Sequence, residues 1–445
     1  MYLPPEPPAN RLKIAVVGSG VSGLSAAWLL SGRHAVTLFE ESARLGGHSH
    51  TVDWLGTAVD TGFIVYNEGT YPNLTALFNH LQVPTQTSDM SFAVSMDDGR
   101  LEYSGAGLTG LFAQRRNLFR PRFWAMLRDI LRFFRQAPRD LGGCANATLN
   151  EYLDKAGYGP ALRDDFLYPM AAAIWSTPAA KVGDYPAESF IRFFQNHGLL
   201  KAIRQPIWRT VVGGSRVYVE RLARSISGDV HESCPVRTIL RHDNRVTVVD
   251  ADGRAEDFDH VVIAAHADQA LRLLDRPTAK EQKCLGAFRY GANLAVLHTD
   301  ERVMPKTRAA WSAWNYTTLG AGDVRRLSVT YWMNRLQNIR NRPPIFVTLN
   351  PVRDIPASSI VQEQTYHHPL FDSEALRMQR QLWSLQGERR TWYCGAYFGS
   401  GFHEDGLQAG LAVAEALGGV RRPWTVAGES DRVFLPKVGS EWAIV

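Results

Sequence analysis

The stretch from Lys13 to Gly23, KIAVVGSGVSG, decides the fold. It begins with Lys13 to Val17, a β-branched run typical of a buried parallel strand. Three glycines follow at the spacing GxGxxG. The first permits a tight turn, the second lets the backbone approach a pyrophosphate, and the third lets a helix pack on the strand. The pattern predicts a nucleotide-binding turn. Its predicted contact residues are Gly18, Ser19, Gly20, Ser22 and Gly23.

The segment after this turn indicates how a nucleotide is recognised. Leu24 to Leu30 predicts an alanine-rich helix, and Ala35 to Phe39 predicts a second strand that ends in Glu40. Glu40 follows the first glycine by about twenty positions, where an acid hydrogen-bonds a ribose hydroxyl. An acid there favours a free 2′-hydroxyl over a 2′-phosphate. We therefore predict a dinucleotide site, and the weaker alternative is a tight turn without a ligand.

The next residues indicate which dinucleotide is bound. The stretch ESARLGGHSHTV places Arg44 and a second glycine pair, Gly46 and Gly47, shortly after the acid. This pattern resembles the FAD-binding fold of the flavin-containing amine oxidase superfamily. The resemblance implies that the glycine pair lets the backbone pass close to the flavin end of the cofactor. The residues from Asp60 to Phe63 then look like the strand turn that follows in such proteins.

Later segments carry the same resemblance, and FAD is therefore the predicted cofactor. It implies that Val236 offers its backbone to the adenine. It also implies a helix starting near Glu404 whose positive end faces the flavin. The segments are VVGGSRVYVERL (Val211 to Leu222), DFDHVVIAA (Asp257 to Ala265) and the glycine loop and helix of Trp392 to Leu417. The predicted FAD contacts beyond the first turn are Glu40, Glu41, Arg44, Gly46, Gly47, His48, Val236, Ala264, Gly395, Phe402, His403 and Asp405.

No metal site is predicted. The four cysteines form no CxxC pair and lie near no histidine at a metal-ligand spacing. The adjacent His367 and His368 precede a proline, and no third ligand lies nearby in sequence. Attachment of the flavin to His48 or His50 stays an open alternative.

The predicted fold class is α/β, with a Rossmann-like FAD-binding domain interrupted by an inserted α+β substrate domain. The cofactor domain is discontinuous, because its motifs are spread over most of the chain. Its predicted segments are 11–80, 205–285 and 386–430. The predicted substrate domain takes 81–204 and 286–385, and 431–445 is a tail without an assigned role.

The stretches between the cofactor motifs carry a closer resemblance. They look like the flavoprotein half of plant cyclopropane fatty acid synthases and its stand-alone bacterial relatives. This resemblance implies an acyl-lipid substrate, dehydrogenated as a methylated or unsaturated chain on the way to a furan fatty acid. It also implies a lipid methyltransferase as a partner. The stretches are GFIVYNEGTYPNL (62–74), SDMSFAVS (88–95), LFAQRRNLFRPRFWAMLRDI (111–130), YPMAAAIWSTP (168–178) and NHGLL (196–200).

The catalytic candidates are few, because flavin dehydrogenation depends mainly on positioning. The candidates are His403, Tyr66, Asn67 and His197, and each has a purely structural alternative. Our alignment places Asn293 where many amine oxidases carry a lysine, which speaks against amine oxidation. Besides dehydrogenation of an acyl lipid, two hypotheses remain. The protein is a flavin amine oxidase, or it is a non-catalytic flavoprotein partner of a lipid methyltransferase.

Composition bounds the partners and the location. The net charge of +5 and the pI of about 9.0 reflect a small arginine excess, and we expect no nucleic-acid partner. No apolar run is long enough to span a bilayer, so we expect a cytoplasmic protein. The residues from Phe123 to Phe134 predict an amphipathic helix beside several arginines. This helix either lies peripherally on the anionic inner membrane or packs on the substrate domain.

Overall fold

The computed structural model describes residues 11–144, 147–175, 182–196, 198–200, 206–320 and 326–436. In chain order the strands are β1 Lys13–Val17, β2 Ala35–Phe39, β3 Thr51–Trp54, β4 Thr57–Asp60, β5 Tyr66–Asn67, β6 Thr85–Ser88, β7 Phe92–Met96, β8 Leu101–Ser104, β9 Trp208–Val211, β10 Asp229–His231, β11 Val236–Arg241, β12 Val246–Asp250, β13 Ala255–Phe258, β14 His260–Ile263, β15 Arg289–His298, β16 Trp314–Leu319, β17 Arg326–Trp332, β18 Phe346–Leu349, β19 Ile360–Leu370 and β20 Thr391–Tyr393. The α-helices are α1 Val21–Ser31, α2 Pro72–His80, α3 Gly107–Leu111, α4 Pro121–Asp140, α5 Leu149–Lys155, α6 Pro160–Leu162, α7 Tyr168–Trp175, α8 Ala187–Asn196, α9 Arg216–Arg224, α10 Ala267–Leu273, α11 Ala279–Gly286, α12 Met333–Leu336, α13 Ser373–Gln379 and α14 His403–Ala416.

A parallel sheet in the order β10-β2-β1-β14-β20 forms the centre of the first lobe. Its central strand β1 is apolar and buried from Ile14 to Val17, as a strand covered on both faces must be. Helix α1 follows β1 directly, and α14 packs against α1. The predicted α/β class, with a Rossmann-like cofactor domain, is therefore confirmed. An antiparallel sheet of β11, β12 and β13 lies in the same lobe.

A mixed sheet in the order β19-β15-β18-β17-β16-β7-β8 forms the second lobe. Its strands are antiparallel to their neighbours except β16 and β7, which are parallel. Helices α4, α5, α7 and α8 supply apolar side chains to the core on this sheet, among them Phe133, Leu153 and Phe190. This lobe contains both strands and helices, as expected of an α+β substrate domain.

The strands of the two lobes are distributed along the chain in an interleaved way. The parallel sheet takes strands from all three predicted cofactor segments, and the mixed sheet takes strands from both predicted inserted segments. A small sheet in the order β5-β9-β6 connects the two predicted domains. Its strands β5 and β9 belong to predicted cofactor segments, whereas β6 belongs to a predicted inserted segment. The described part of the tail, 431–436, contacts the first lobe through Arg432 and the buried Val433.

Helix α4 bears on both sequence-based interpretations of its apolar face. Phe123 is buried, and Leu127, Ile130 and Phe134 pack on the core of the second lobe. Most of these side chains therefore lie against protein, whereas Trp124 and Leu131 of the same face are about half exposed, and peripheral contact with a membrane stays a prediction. Within the described parts of the chain, no helix combines the length and apolarity needed to cross a bilayer.

The contact between α1 and α14 depends on a glycine. A Cβ atom at Gly410 would collide with the carbonyl oxygen of Ser22 and come close to the hydroxyl of Ser25. The two helices can therefore pack this closely only because position 410 has no side chain. This packing also fixes where α14 begins, at the cavity between the two lobes.

We predict that Gly410→Ala lowers the free energy of unfolding by about 1–3 kcal/mol, because the methyl group must push the two helices apart. Chemical denaturation of the purified protein measures this. Gly142→Ala is the matched control, since a Cβ there meets nothing within 4 Å. Equal stability of the two variants would contradict the packing argument.

Candidate cofactor and substrate site

One cavity of about 860 Å³ runs between the two lobes. At one end it is lined by the first glycine turn and by the acid at the end of β2. At the other end it is lined by apolar side chains of the second lobe. The lining is thus mainly polar where the first lobe supplies it and mainly apolar where the second lobe does.

The glycines of the first turn have different tasks. Gly18 has a φ of +100°, and a Cβ there would lie 2.8 Å from the carbonyl oxygen of Ala264. A Cβ at Gly23 would collide with the carbonyl oxygen of Gly18. Gly20, the N-cap residue of α1, lines the cavity with free space around its Cα. Gly18 and Gly23 are therefore required by the fold, whereas the space at Gly20 is available to a ligand.

Glu40 is fixed beside this turn. One oxygen of its carboxylate accepts hydrogen bonds from the backbone N–H of Ser19 (2.9 Å) and from the Ser19 hydroxyl (2.6 Å). The other oxygen accepts from the backbone N–H of Ser42 (2.8 Å). A carboxylate can accept about four hydrogen bonds, so Glu40 keeps acceptor capacity for a hydroxyl in the cavity that it lines. Glu41 lines the same end of the cavity.

The second glycine pair, Gly46 and Gly47, lies directly against the first turn. The backbone N–H of Gly46 donates to the carbonyl oxygen of Ser19 at 3.1 Å, and a Cβ at Gly47 would lie 3.1 Å from the Cα of Gly20. Arg44 donates to the carbonyl oxygen of Gly47 at 2.9 Å and also lines the cavity. Two stretches of backbone and one guanidinium thus form a cradle suited to phosphate groups.

His48 supplies a direct sign that a ligand belongs here. Its Nε2 atom is buried and has no hydrogen-bond partner within the described structure. Its ring lies among those of Tyr366 (5.2 Å), His368 (5.6 Å) and His266 (5.9 Å). Burial lowers the pKa of His48 well below the usual value, so the imidazole is neutral. A buried polar atom without a partner is unfavourable, and a bound cofactor would satisfy it.

The other predicted cofactor contacts fall into two groups. Those that line the cavity are Ser19, Ser22, Val236, Ala264, Gly395, Phe402 and His403. Asp405 does not line the cavity: it accepts from the backbone N–H of Phe402 (2.7 Å) and pairs with Arg432 (3.1 Å). It caps helix α14 and holds the tail, which is the structural alternative to a ribityl contact. Glu404 likewise accepts from the backbone N–H groups of Asn73 and Leu74 at the start of α2.

His403, the first residue of α14, is held at the cavity by contacts with two side chains. Its ring stacks on Phe63 with 3.9 Å between centroids. Its Nε2 lies 2.6 Å from the Tyr218 hydroxyl, which in turn lies 2.6 Å from the hydroxyl of Ser49. Burial lowers the pKa of His403 to about 3. The ring is therefore a neutral hydrogen-bonding group at ordinary pH, and too weak a base to take a proton.

The remaining catalytic candidates lie elsewhere. Tyr66 is buried against Phe78 and Tyr71 and does not line the cavity. Asn67 accepts from the backbone N–H of Thr70 in a turn and does not line the cavity either. These contacts are structural, and the catalytic roles of both residues stay predictions; the buried Nδ2 of Asn67 has no hydrogen-bond partner within the described residues. His197 lies outside the described residues.

A hydrogen-bond chain that the sequence did not reveal ends at the cavity. The backbone N–H of Leu294 donates to Asn350 Oδ1 (3.0 Å), which fixes the orientation of that amide. Asn350 Nδ2 then donates to Asn293 Oδ1 (2.8 Å), and Asn293 Nδ2 lies 3.0 Å from His368 Nδ1. His368 Nδ1 is therefore the acceptor, and Nε2 carries the proton. Burial lowers the pKa of His368 to about 4, so this ring is neutral too.

The fold and the cradle define a dinucleotide-binding oxidoreductase of the flavoprotein type. A sequence profile described as flavin containing amine oxidoreductase matches residues 21–335, so the chain belongs to this family. FAD is the cofactor of the family, and the open Gly20, the free acceptor capacity of Glu40 and the unpartnered His48 fit it. No curated protein matches the sequence.

Several solved structures share the fold. A fatty acid isomerase from P. acnes that produces CLA is 16% identical over 91% of this chain and 98% of its own, with a TM-score of 0.64. A wild-type putrescine oxidase bound to putrescine is 14% identical over 92% and 99%, with a TM-score of 0.66. A cyclohexylamine oxidase from Brevibacterium oxydans is 15% identical over 92% and 100%, with a TM-score of 0.64. At these identities the likeness concerns the fold alone.

We predict that Gly20→Ala separates cofactor binding from folding. The residue has φ −60° and ψ 176°, which alanine adopts readily, so the stability of the FAD-free protein should change by less than about 1 kcal/mol. The affinity for FAD should fall at least roughly tenfold, because the methyl group takes up space needed by the pyrophosphate. Fluorescence titration with FAD measures this, and Gly143→Ala is the control with an equally open Cβ position. Unchanged affinity would show that the turn serves only the fold.

We predict a pH dependence that identifies the neutral state of His403. Its pKa in the folded state, about 3, lies below the unfolded value of 6.5, so the unfolded state binds more protons between these values. The free energy of unfolding of the wild type should therefore fall relative to His403→Gln as the pH drops from 7 to 4. The expected slope is up to about 1.4 kcal/mol per pH unit. Parallel stability curves for the two proteins would contradict it.

Proposed function

We propose that this flavoprotein removes two hydrogens from an acyl chain of a membrane fatty acid or phospholipid. The observation that carries the proposal is the apolar chamber, the part of the cavity that the second lobe lines. Its walls are aromatic and aliphatic side chains, as an extended hydrocarbon chain requires. The side chains that define it are Phe92, Met170, Ile174, Phe193, Trp314 and Leu349.

The charges of the cavity support the same proposal. Among its described lining residues the only carboxylates are Glu40 and Glu41, at the nucleotide end. A protonated amine in the apolar chamber would lose its hydration and find no counter-ion there, at a cost of several kcal/mol. An acyl chain carries no charge along its length and loses nothing by entering.

The position of Asn293 also disfavours amine oxidation. Its side chain is buried in contacts with His368 and Asn350 and does not line the cavity. It therefore cannot hold a water at the reactive edge as a lysine in that place would. The shared fold does not decide between the two substrates, since the similar structures include both a fatty acid isomerase and amine oxidases. The chamber is what favours the acyl chain.

The residues of the chain have mainly a positioning role in this reaction. Bound FAD would supply a two-electron acceptor: a carbon–carbon single bond of the chain would become a double bond, and the two hydrogens with their electrons would pass to the flavin. The apolar chamber excludes water and holds the chain extended. At its polar end, His368 keeps its proton on Nε2 and His403 stays neutral. Neither residue adds a charge that would draw water into the cavity.

The resemblance to the flavoprotein half of cyclopropane fatty acid synthases supports a methylated or unsaturated acyl chain. Within that class, furan or cyclopropane fatty acid metabolism is the setting that we propose. A non-catalytic partner of a lipid methyltransferase is the alternative, and it would bind FAD without ever reducing it. The two hypotheses differ in one measurable property, the transfer of electrons from lipid to flavin.

We predict that the FAD-loaded protein, mixed anaerobically with detergent-dispersed acyl lipids, loses the visible absorbance of its oxidised flavin with one methylated or unsaturated species. Mass spectrometry of that lipid should show the loss of two hydrogens, in a one-to-one ratio to reduced flavin. Ile174→Trp should abolish this by filling the apolar chamber while leaving FAD bound, and Ile174→Val should remain active. Reduction by putrescine or a simple monoamine, with no response to any lipid, would overturn the proposal.

A further inference from the structure

The surface of the second lobe carries a group of strongly exposed apolar side chains. Phe119 is 86% exposed and Leu108 is 76% exposed, whereas Trp124 and Leu118 are about half exposed at 49% and 43%. Single exposed apolar residues are ordinary, but several together mark an interaction site. These four lie within a stretch of fewer than twenty residues that includes α3 and the start of α4.

Contacts within the stretch fix Trp124 beside the backbone of Leu118 and the ring of Phe112. The indole N–H of Trp124 donates to the carbonyl oxygen of Leu118 at 2.9 Å. The ring of Phe112, at the end of α3, lies 5.7 Å from that of Trp124. Phe119 and Leu108 adjoin this contact at either side in the chain. We call the set the arginine–aromatic face; its members are Leu108, Leu118, Phe119, Trp124, Arg115, Arg116 and Arg120.

The arginines of this face keep their charge uncompensated. Arg116 donates to the carbonyl oxygens of Gly99 (2.6 Å) and Arg100 (3.0 Å), and Arg120 donates to that of Arg100 (2.9 Å). Across the described residues neither they nor Arg115 pair with a carboxylate. Partial burial, with Arg116 and Arg100 close by, lowers the pKa of Arg120. The guanidinium groups of Arg116 and Arg120 thus meet at the carbonyl oxygen of Arg100, and neither is paired with a carboxylate of the described residues.

We propose that the arginine–aromatic face docks the protein on an anionic lipid bilayer, with Phe119 inserted into the interface. The inference rests on the proposed acyl-lipid function, because it brings the protein to the place where such a substrate resides. An aromatic ring in the interfacial region with arginines at the level of lipid phosphates is the arrangement that amphipathic membrane anchors use.

The charge pattern favours a bilayer over a protein partner. The centre of a protein interface is depleted of charge, whereas here arginines flank the most exposed ring in sequence on both sides. The face also belongs to the lobe that forms the apolar chamber, since α4 packs against α8 and Phe193 of α8 lines the cavity. A docked protein would therefore have its substrate lobe, and not its nucleotide-binding lobe, at the membrane.

Flotation of the FAD-loaded full chain with lipid vesicles tests this. The protein should float with vesicles of phosphatidylcholine mixed with phosphatidylglycerol, and not with phosphatidylcholine alone. Phe119→Ala should weaken binding roughly tenfold, since the ring no longer leaves water. The double variant Arg115→Ala/Arg116→Ala should weaken it about 25-fold, from about fivefold per arginine near an anionic surface. High salt should reduce wild-type binding because it screens the charges.

Matched controls use exposed residues of the same type elsewhere. Leu55→Ala removes another exposed apolar side chain, and Arg254→Ala another exposed arginine; both should float like the wild type. The proposal is overturned if the wild type ignores anionic vesicles, or if the face variants bind as well as these controls. It is equally overturned if the wild type ignores vesicles while Phe119→Ala abolishes binding to a methyltransferase, because the face then serves a protein.

The outcome stays separable from that of the proposed function. Phe119 lies outside the cavity, so Phe119→Ala should oxidise detergent-dispersed lipid at the wild-type rate while binding vesicles roughly tenfold more weakly. Flotation without any flavin reduction would leave the docking face standing and remove the acyl-lipid reaction. Flavin reduction without flotation would remove the docking face and leave the acyl-lipid reaction standing.

Discussion

The close approach of backbone to backbone at the glycine turns is the constraint on which the site depends. At Gly18 the chain passes so near to Ala264 that strands β1 and β14 and helix α1 meet without intervening side chains. Gly47 brings the second turn equally close to Gly20. The same rule holds at the start of α1, where Gly410 lets α14 pack against Ser22 and Ser25. Only this compact junction leaves peptide N–H groups and a helix N-terminus facing the cavity, and the cradle for FAD follows from it.

The cavity built on this junction changes character along its length, and burial is the cause. At the nucleotide end, the carboxylate of Glu40 and the guanidinium of Arg44 are held mainly by backbone groups. Further in, desolvation keeps the imidazoles of His48, His368 and His403 neutral. Beyond them the walls are apolar. A site arranged in this way holds an anionic cofactor at one end and suits an uncharged substrate at the other.

The sequence predicts a feature well when the residues that determine it lie close together in the chain, and poorly when they lie far apart. The glycine turn can be predicted because a side chain at each required glycine would collide with atoms a few residues away or on one neighbouring strand. The role of Asp405 is not readable, because its partner Arg432 lies in the tail that had no assigned role. Tyr66 and Asn67 stand in a motif typical of the family. In the structure they make a ring contact and a turn hydrogen bond at β5, and the motif alone does not distinguish such contacts from a contact with substrate. The chain from Leu294 through Asn350 and Asn293 to His368 joins two strands that are far apart in sequence, so no pattern could indicate it.

Helix α4 shows the same limit for surfaces. Its apolar periodicity correctly indicates one apolar face, but periodicity cannot say whether protein or lipid covers that face. In the structure the second lobe covers it through Phe123 and Phe134. The exposed apolar side chains are Trp124 and Leu131 on the helix itself, and Leu118 and Phe119 on the short 3-10 helix before it, where Phe119 stands beside Arg120. Apolar residues that recur at a regular helical spacing are mostly buried when the helix packs on its own protein. Phe119, exposed at the end of an arginine-rich 3-10 helix, belongs to no such pattern, and for that reason it is the stronger sign of a binding surface.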